Sequence, residues 1–151
     1  MTVPPLSSQA SPHCDLLIIG AGIAGLAAGR MAQQAGLKGM MIDKGRRVGG
    51  RVSTRRIDGF VFNHGAQFVT SKSSDFGDVL HAANTAGMAT NWQIEDKKTV
   101  VTGTPMMRAI PVFLANDLPI QQNRRIARII RKTDHIQCVD TDDVPVTAKK
   151  V

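Results

Sequence analysis

Four apolar residues leading directly into a ladder of glycines constrain this chain more than any other feature. Leu16-Leu17-Ile18-Ile19 is a continuous apolar run of strand length, and Gly20-Ala21-Gly22-Ile23-Ala24-Gly25 follows it without a gap. From Ile23 a helical pattern, with Leu26 and Met31 among small alanines, continues to about Ala35, and Gly36 offers a stop. Met40-Met41-Ile42 repeats the short apolar run and ends on Asp43. A short apolar run bounded by glycine reads as a strand buried on both faces, which belongs in a parallel sheet. Strand, helix and strand in such close succession predict a βαβ unit.

The glycine spacing is G-x-G-x-x-G, and its context turns a common pattern into a specific one. Gly20 permits the tight turn out of the strand. Gly22 lets backbone approach a pyrophosphate, because a Cβ would fill that space. Gly25 lets the helix pack closely on the sheet. Ile23 and Ala24 start the helix, whose unpaired N–H groups and partial positive charge suit phosphate. Asp43, at the end of the second strand, can accept hydrogen bonds from a ribose hydroxyl. The fold class expected is α/β: an incomplete Rossmann-like dinucleotide-binding βαβ domain with a β-rich extension. A glycine turn without a ligand would leave the matching strand, helix and acid unexplained.

Residues 44–56 are basic and glycine-rich without a helical period, which predicts a loop with a short strand near its end. Within it, Val48-Gly49-Gly50-Arg51 supplies bare backbone for a second close approach to a cofactor. Lys44, Arg46 and Arg51 can neutralise phosphates, the arginines by forked hydrogen bonds. A flexible surface loop with solvated arginines is the alternative.

Further along, Phe60 to Thr70 alternates weakly. Ser73 to Ala86 predicts a helix, capped by Ser73 or Ser74. Asn91–Ile94 and Thr99–Val101 predict strands around a turn at residues 95–98. Pro105 is expected in the first turn of a helix running to about Asn116. Residues 124–139 fit either a basic amphipathic helix or a hairpin turning near Thr133-Asp134, since Ile126, Ile129 and Ile130 satisfy the helical spacing.

Composition narrows the class. A chain of 151 residues suits one domain, placed at 14–151 behind a Pro- and Ser-rich leader at 1–13 that is expected to be disordered. Apolar residues at 42% and charged residues at 21% are those of a globular protein. Aromatics at 4% weigh against nucleic-acid readers built on stacking platforms. The net charge of +7 suits anionic ligands. It is concentrated in Lys38–Arg56, which phosphate binding explains, and in Arg124–Lys132, a solvated strand face, so no nucleic-acid partner is expected. Cys14 and Cys138 form no CxxC, which excludes zinc-ribbon and thioredoxin-type motifs and fits a reducing compartment. His13, His64, His81 and His135 lack ligand spacing, so no metal is expected. No Lys or Arg precedes Arg30, and the apolar run is too short and glycine-rich to span a bilayer. The expectation is a soluble, cytoplasmic protein without a membrane partner.

The segment DLLIIGAGIAGLAAG…MMIDKGRRVGGRVSTRR resembles the N-terminal flavin-binding region of the amine oxidase superfamily of FAD-dependent oxidoreductases. FVFNHGAQFVT is similar to the D-H-G-A-Q-Y-F signature of renalase-like proteins, and GTPMMRAIPVFLA resembles their G-x-P-x-M segment and helix. The resemblance covers roughly residues 14–132. It implies that Gly20, Gly22 and Gly25 hold the FAD pyrophosphate, that Asp43 binds the adenosine ribose and that Arg46 and Arg51 serve the phosphate side. It also implies that Gly49 and Gly50 run beside the cofactor and that Gly65, Ala66 and Gln67 lie near the isoalloxazine ring. In such proteins a hairpin after the helix touches the adenine, here around Ile126, which favours the hairpin over the basic helix at 124–139.

The implied activity is hydride transfer from a reduced nicotinamide-type or amine substrate to FAD, with NAD(P) as substrate or alternative ligand. Flavin N5 carries such chemistry, so His64 reads mainly as a structural or positioning residue. His64 and Gln67 are the only candidates for a catalytic role. The sequence departs from the family in having Asn63 for Asp, Asp43 for the commoner Glu, and Phe68 for Tyr. It is about half the family's length and lacks the late Gly-Asp segment that closes over the flavin. The tail VDTDDVPVTAKKV reads as polar and as an arbitrary stop. The chain is therefore expected to be the N-terminal portion of a flavoenzyme, with exposed apolar surface that promotes self-association. The alternative is a dinucleotide-binding module, for FAD or NAD(P), without catalysis.

Overall fold

A computed structural model describes residues 13–95 and 98–151. Of the leader expected at 1–13, residues 1–12 lie outside the described residues, as does the centre of the turn at 95–98, whereas His13 opens the first strand. The elements in chain order are β1 (His13–Ile19), α1 (Ile23–Gln34), β2 (Gly39–Ile42), β3 (Thr54–Ile57), β4 (Phe60–Asn63), α2 (Ser74–Thr85), β5 (Ala89–Glu95), β6 (Lys98–Gly103), α3 (Ala109–Ala115), β7 (Ile120–Gln121), β8 (Ile126–Arg131), β9 (Ile136–Asp140) and β10 (Pro145–Lys150).

The βαβ unit forms as the glycine ladder dictates. β1 and β2 pair in parallel, with Leu17 opposite Met40 and Ile19 opposite Ile42. α1 begins directly after Gly22 and ends at Ala35, and Gly36 takes φ +72°, where a side chain is disfavoured. Six strands form the main sheet in the order β7-β2-β1-β10-β9-β8. The β7, β2, β1 and β10 neighbours run parallel, whereas β9 is antiparallel to both β10 and β8. Two hairpins, β3–β4 and β5–β6, stand apart from this sheet.

The core follows the pleat of the strands. Met41 and Ile18 pack with Ala21, Leu26 and Leu114 between β1–β2 and the helices α1 and α3. Ile42 and Leu17 join Cys14, Cys138, Val146 and Ala148 in a cluster drawn from strands alone. A third cluster holds Val52, Leu80, Ala83, Ala89, Met107 and Ile110, and ties α2 and α3 to β5. Truncating a side chain as enclosed as Leu26 would cost about 3 kcal/mol. Burial also pushes the thiol pKa values of Cys14 and Cys138 up, which disfavours the nucleophilic thiolate at both.

Ser73 caps α2 by accepting a hydrogen bond from the Phe76 N–H, and residues 126–140 form the hairpin rather than the basic helix. Two expectations are corrected. The helix expected from Pro105 begins only at Ala109. Residues 104–108 instead make a tight reversal: Gly103 donates its N–H to Met107 Sδ, and the Met107 N–H is taken by Asn63 Oδ1. A Cβ on Gly103 would lie 2.4 Å from the Met106 carbonyl oxygen, so the chain folds back on itself before it can coil.

The tail read as polar is the second correction, because β10 sits in the middle of the sheet between β1 and β9. Val146 and Ala148 are fully buried, and Lys149 reaches Asp15 at 2.7 Å. Two small inward residues suffice for a central strand when both neighbours supply the bulk.

Candidate functional site

Three backbone segments meet at the N-terminal end of α1. Ile42 accepts from the Gly20 N–H at 2.8 Å, and the Gly49 N–H donates to the Ala21 carbonyl at 2.8 Å. Gly22 and Gly49 form an isolated parallel bridge. The two glycine motifs separated in sequence are therefore one structural feature, a turn with a second bare strand laid across it.

The glycines in this feature serve two different ends. A Cβ on Gly25 would sit 2.0 Å from the Gly20 carbonyl oxygen, so helix and turn can approach only without it. A Cβ on Gly49 would meet the Val52 carbonyl at 2.8 Å, and one on Gly50 would touch Gly22 Cα at 3.4 Å. By contrast, a Cβ on Gly20 or Gly22 meets no protein atom within 4 Å. Gly20 needs its freedom for φ +106°, but Gly22 is at φ −78°, which any residue adopts. Neither the fold nor the backbone angle explains Gly22. An external group lying on the turn would.

Asp43 does not stand free at this site. Its Oδ2 accepts from the Ala21 N–H and its Oδ1 from the Gly45 N–H, both at 2.6 Å. The carboxylate thus braces the glycine turn against the next loop, and only its remaining lone pairs are open to a hydroxyl. The carbonyl oxygens of Asp43 and Gly45 in turn accept from the N–H groups of Arg124 and Asn123, at 3.0 Å each. That contact brings the approach to β8, the strand that carries half-buried Ile126, to the Asp43 corner. Behind it, the Arg124 Nε–H donates to buried Asp140 at 2.6 Å. Burial pushes the Asp140 carboxyl up, but Arg124 and the backbone N–H groups of Val144 and Asp142 outweigh it and hold the group below its usual range.

The His64–Gln67 segment packs on Arg51–Ser53 rather than on the glycine turn. The Ala66 N–H donates to the Arg51 carbonyl at 3.1 Å, and a Cβ on Gly65 would lie 1.9 Å from the same oxygen. His64 is exposed, with Nδ1 3.1 Å from Ser53 Oγ. Gln67 lies in an open cleft of about 530 Å³ lined by Val61, Phe62, Asn63, Trp92 and Thr102, and its carbonyl accepts from the Thr102 hydroxyl at 3.2 Å. Phe68 meets Trp92 edge-on with centroids 6.4 Å apart. Asn63, the departure from Asp, takes two hydrogen bonds on its Oδ1, from the Thr54 hydroxyl and the Met107 N–H, so it does as an amide what a carboxylate would do there. Lys44, Arg46 and Arg51 are exposed around the turn.

Sequence reading passed over Arg108. It follows Met107 at the head of α3, and its Nε is buried with no hydrogen-bond partner. Burial depresses its pKa, and the positive charges of Arg47 and Arg56 depress it further. The available signal was an arginine inside an otherwise apolar run, MMRAIPVFLA.

Comparison with known proteins bears on the fold. Residues 18–85 match the family described as an NAD(P)-binding Rossmann-like domain. A putrescine oxidase structure superposes with a TM-score of 0.72 at 14% identity, over 91% of this chain and 57% of that one. The fold is Rossmann-like. A fatty acid isomerase from P. acnes superposes nearly as well, with a TM-score of 0.71 at 14% identity, over 90% of this chain and 57% of that one. Among curated relatives, putrescine oxidase of Kocuria rosea is 30% identical over 95 residues, 63% of this chain and 19% of that protein. Sarcosine oxidase subunit alpha of Rhizobium meliloti (strain 1021) is 43% identical over 58 residues, 37% of this chain and 6% of that protein. The chain therefore spans under a fifth of these curated relatives and a little over half of the superposed structures. No helix among the described residues is long and apolar enough to cross a membrane.

Proposed function

We propose that this chain is the cofactor-holding part of an FAD-dependent oxidoreductase, renalase-like in its 60–70 segment. Its substrate class would be a reduced nicotinamide or an amine. The observation that carries the reading is the open space over Gly22, a glycine that neither packing nor φ requires, with Gly49 and Gly50 crossing beside it. One bare turn at a helix N-terminus suits a pyrophosphate. A second bare segment across it suits a longer cofactor than a single nucleotide.

Bound FAD would supply the hydride acceptor. The chain's own residues bind and orient. Gly20, Gly22, Ile23, Ala24 and Gly25 would offer backbone to the pyrophosphate, and Arg46 and Arg51 would neutralise it, with Lys44 at the margin. Asp43 would reach a ribose hydroxyl through its unused lone pairs, and the Ile126 backbone would flank the adenine. Gly65, Ala66 and Gln67 would border the ring system, and His64 would hold Ser53 rather than move a proton.

The test is the visible spectrum of the purified chain after incubation with FAD and desalting. A retained flavin band that bleaches anaerobically with a reduced nicotinamide or with putrescine is the expected result, and loss of all flavin on desalting overturns it. A second reading, a dinucleotide-holding module without turnover, is favoured by the openness of the Gln67 cleft, where Phe62 and Trp92 face solvent instead of a closed, dry wall. Retained flavin that no donor bleaches would select it.

A further inference from the structure

We propose that Arg47, Arg56 and Arg108 together form a binding site for a phosphate group. The three come from three separate elements: the loop before Gly49, the strand β3, and the head of α3. The packing that brings them together is specific. Pro111 of α3 lies so near Gly49 that a Cβ there would meet its Cγ at 3.1 Å, and Met107 is tied to Asn63 at the end of β4, the strand paired with β3. Arg108, between Met107 and Pro111, is thus held against the loop that carries Arg47 and the hairpin that carries Arg56. Both neighbours are near enough for their charges to depress the Arg108 pKa.

Among the described residues no carboxylate pairs with this group. The ion pairs among the described residues are Arg124–Asp140, Arg128–Asp143, His135–Asp134 and Lys149–Asp15, and none involves these three arginines. A buried guanidinium Nε–H without an acceptor costs the full desolvation of a charged donor. The fold forces that cost and adds two like charges to it. An anion would reverse both terms at once. A planar carboxylate matches one guanidinium fork, whereas a tetrahedral phosphate accepts from several directions, as three arginines on three elements require. The site adjoins Gly49 and Gly50, so the phosphate could come from the cofactor proposed above, in which case the inference rests on that reading, or from a separate phosphorylated ligand.

The test is calorimetric titration of the full chain at low ionic strength, first with inorganic phosphate alone and then with FAD. Arg108→Gln and Arg56→Gln remove one charge each from the site, and Arg128→Gln, on the far edge strand, serves as a control. Phosphate affinity is expected to fall by at least about tenfold in each site variant and to stay unchanged in the control. Arg56 is exposed on a two-stranded hairpin, so its variant carries the test even where Arg108→Gln fails to fold. Competition between phosphate and FAD assigns the group to the cofactor, and simultaneous binding assigns it to another ligand. No phosphate binding by the unaltered chain, or equal binding by Arg56→Gln and any folded Arg108→Gln, overturns the site. Flavin retained without any phosphate binding that depends on these arginines would overturn this site alone. Arginine-dependent phosphate binding without flavin retention would instead overturn the FAD reading.

Discussion

The glycine turn and the β3–β4 hairpin are neighbours in sequence and opposites in finish. Around the turn, Ala21, Leu26, Met41 and Leu114 are essentially out of solvent, and each backbone segment is hydrogen-bonded to the next. On the hairpin, Phe60 is 69% exposed and Phe62 51%, and Trp92 on the adjacent hairpin is 45% exposed. Cross-strand pairs hold the hairpin, but nothing among the described residues covers its aromatic side. One region is a completed core that opens over Gly20 and Gly22, of which only Gly22 has no backbone angle to explain it. The other is one wall of a cleft. The site's chemistry would need both, since the turn can grip a cofactor while only the wall can shape what meets it.

The sharpest way to break this contrast is to fill the two kinds of glycine. Gly25→Ala places a methyl 2.0 Å from a backbone oxygen, so it should cost about 3 kcal/mol and remove cooperative melting in circular dichroism. Asp140→Asn comes next. It strips Arg124 of its partner behind the Asp43 corner, and a fall in Tm of roughly 5–10 °C is expected by calorimetry. The same variant carries a pH signature. The folded-state pKa of Asp140 lies below its ordinary value of 3.8, so its stabilisation is full above that value and is lost as pH falls through the lower, folded value. The parent chain should therefore lose Tm steeply below about pH 4, and Asp140→Asn should show a shallower acid limb; parallel limbs would refute the assignment.

Gly22→Ala is the complement of Gly25→Ala. Its methyl enters open space at an allowed φ, so Tm should move by less than about 2 °C. Flavin retention after desalting should nevertheless be lost. Equal loss of stability in both variants would mean that the Gly22 space belongs to the fold, not to a ligand. The smallest effect on stability is expected on the hairpin. Phe60→Ser should leave Tm within about 1 °C and shift the chain toward smaller species in light scattering, because the exposed aromatic side is the surface most suited to self-association. An unchanged mass distribution would leave the wall as solvent-facing only.

Much of the turn was legible in the sequence because each of its residues is constrained alone. Strand, turn, helix and second strand each follow from a local pattern, and Ser73 announces its cap. The hairpin at 126–140 was decidable only through resemblance, since Ile126, Ile129 and Ile130 fit a helix as well. β10 was not legible. A strand with two small inward residues shows almost no hydrophobic pattern, and its place between β1 and β9 is fixed by partners distant in sequence. The start of α3 was misplaced because Pro105 favours a helix start locally, while the Asn63 contact that holds Met107 is long-range. Asp43 was found, but not its hold on Ala21 and Gly45, because sequence names an acid without saying which N–H groups reach it first. Arg108 was overlooked for a similar reason: its significance lies in Arg47 and Arg56, which only the folded chain brings near.

The position of β10 also sets an order of events during synthesis. Cys14 on β1 lies against Thr147 on β10, partners 133 residues apart, whereas β1 meets β2 after a single helix. The βαβ unit can therefore assemble early on the ribosome, but one flank of β1 stays unpaired until nearly the whole described chain has emerged. Until then a strand of Leu and Ile presents an open edge, the kind of surface that chaperones cover and that aggregates grow from. The last of the described strands closes the first.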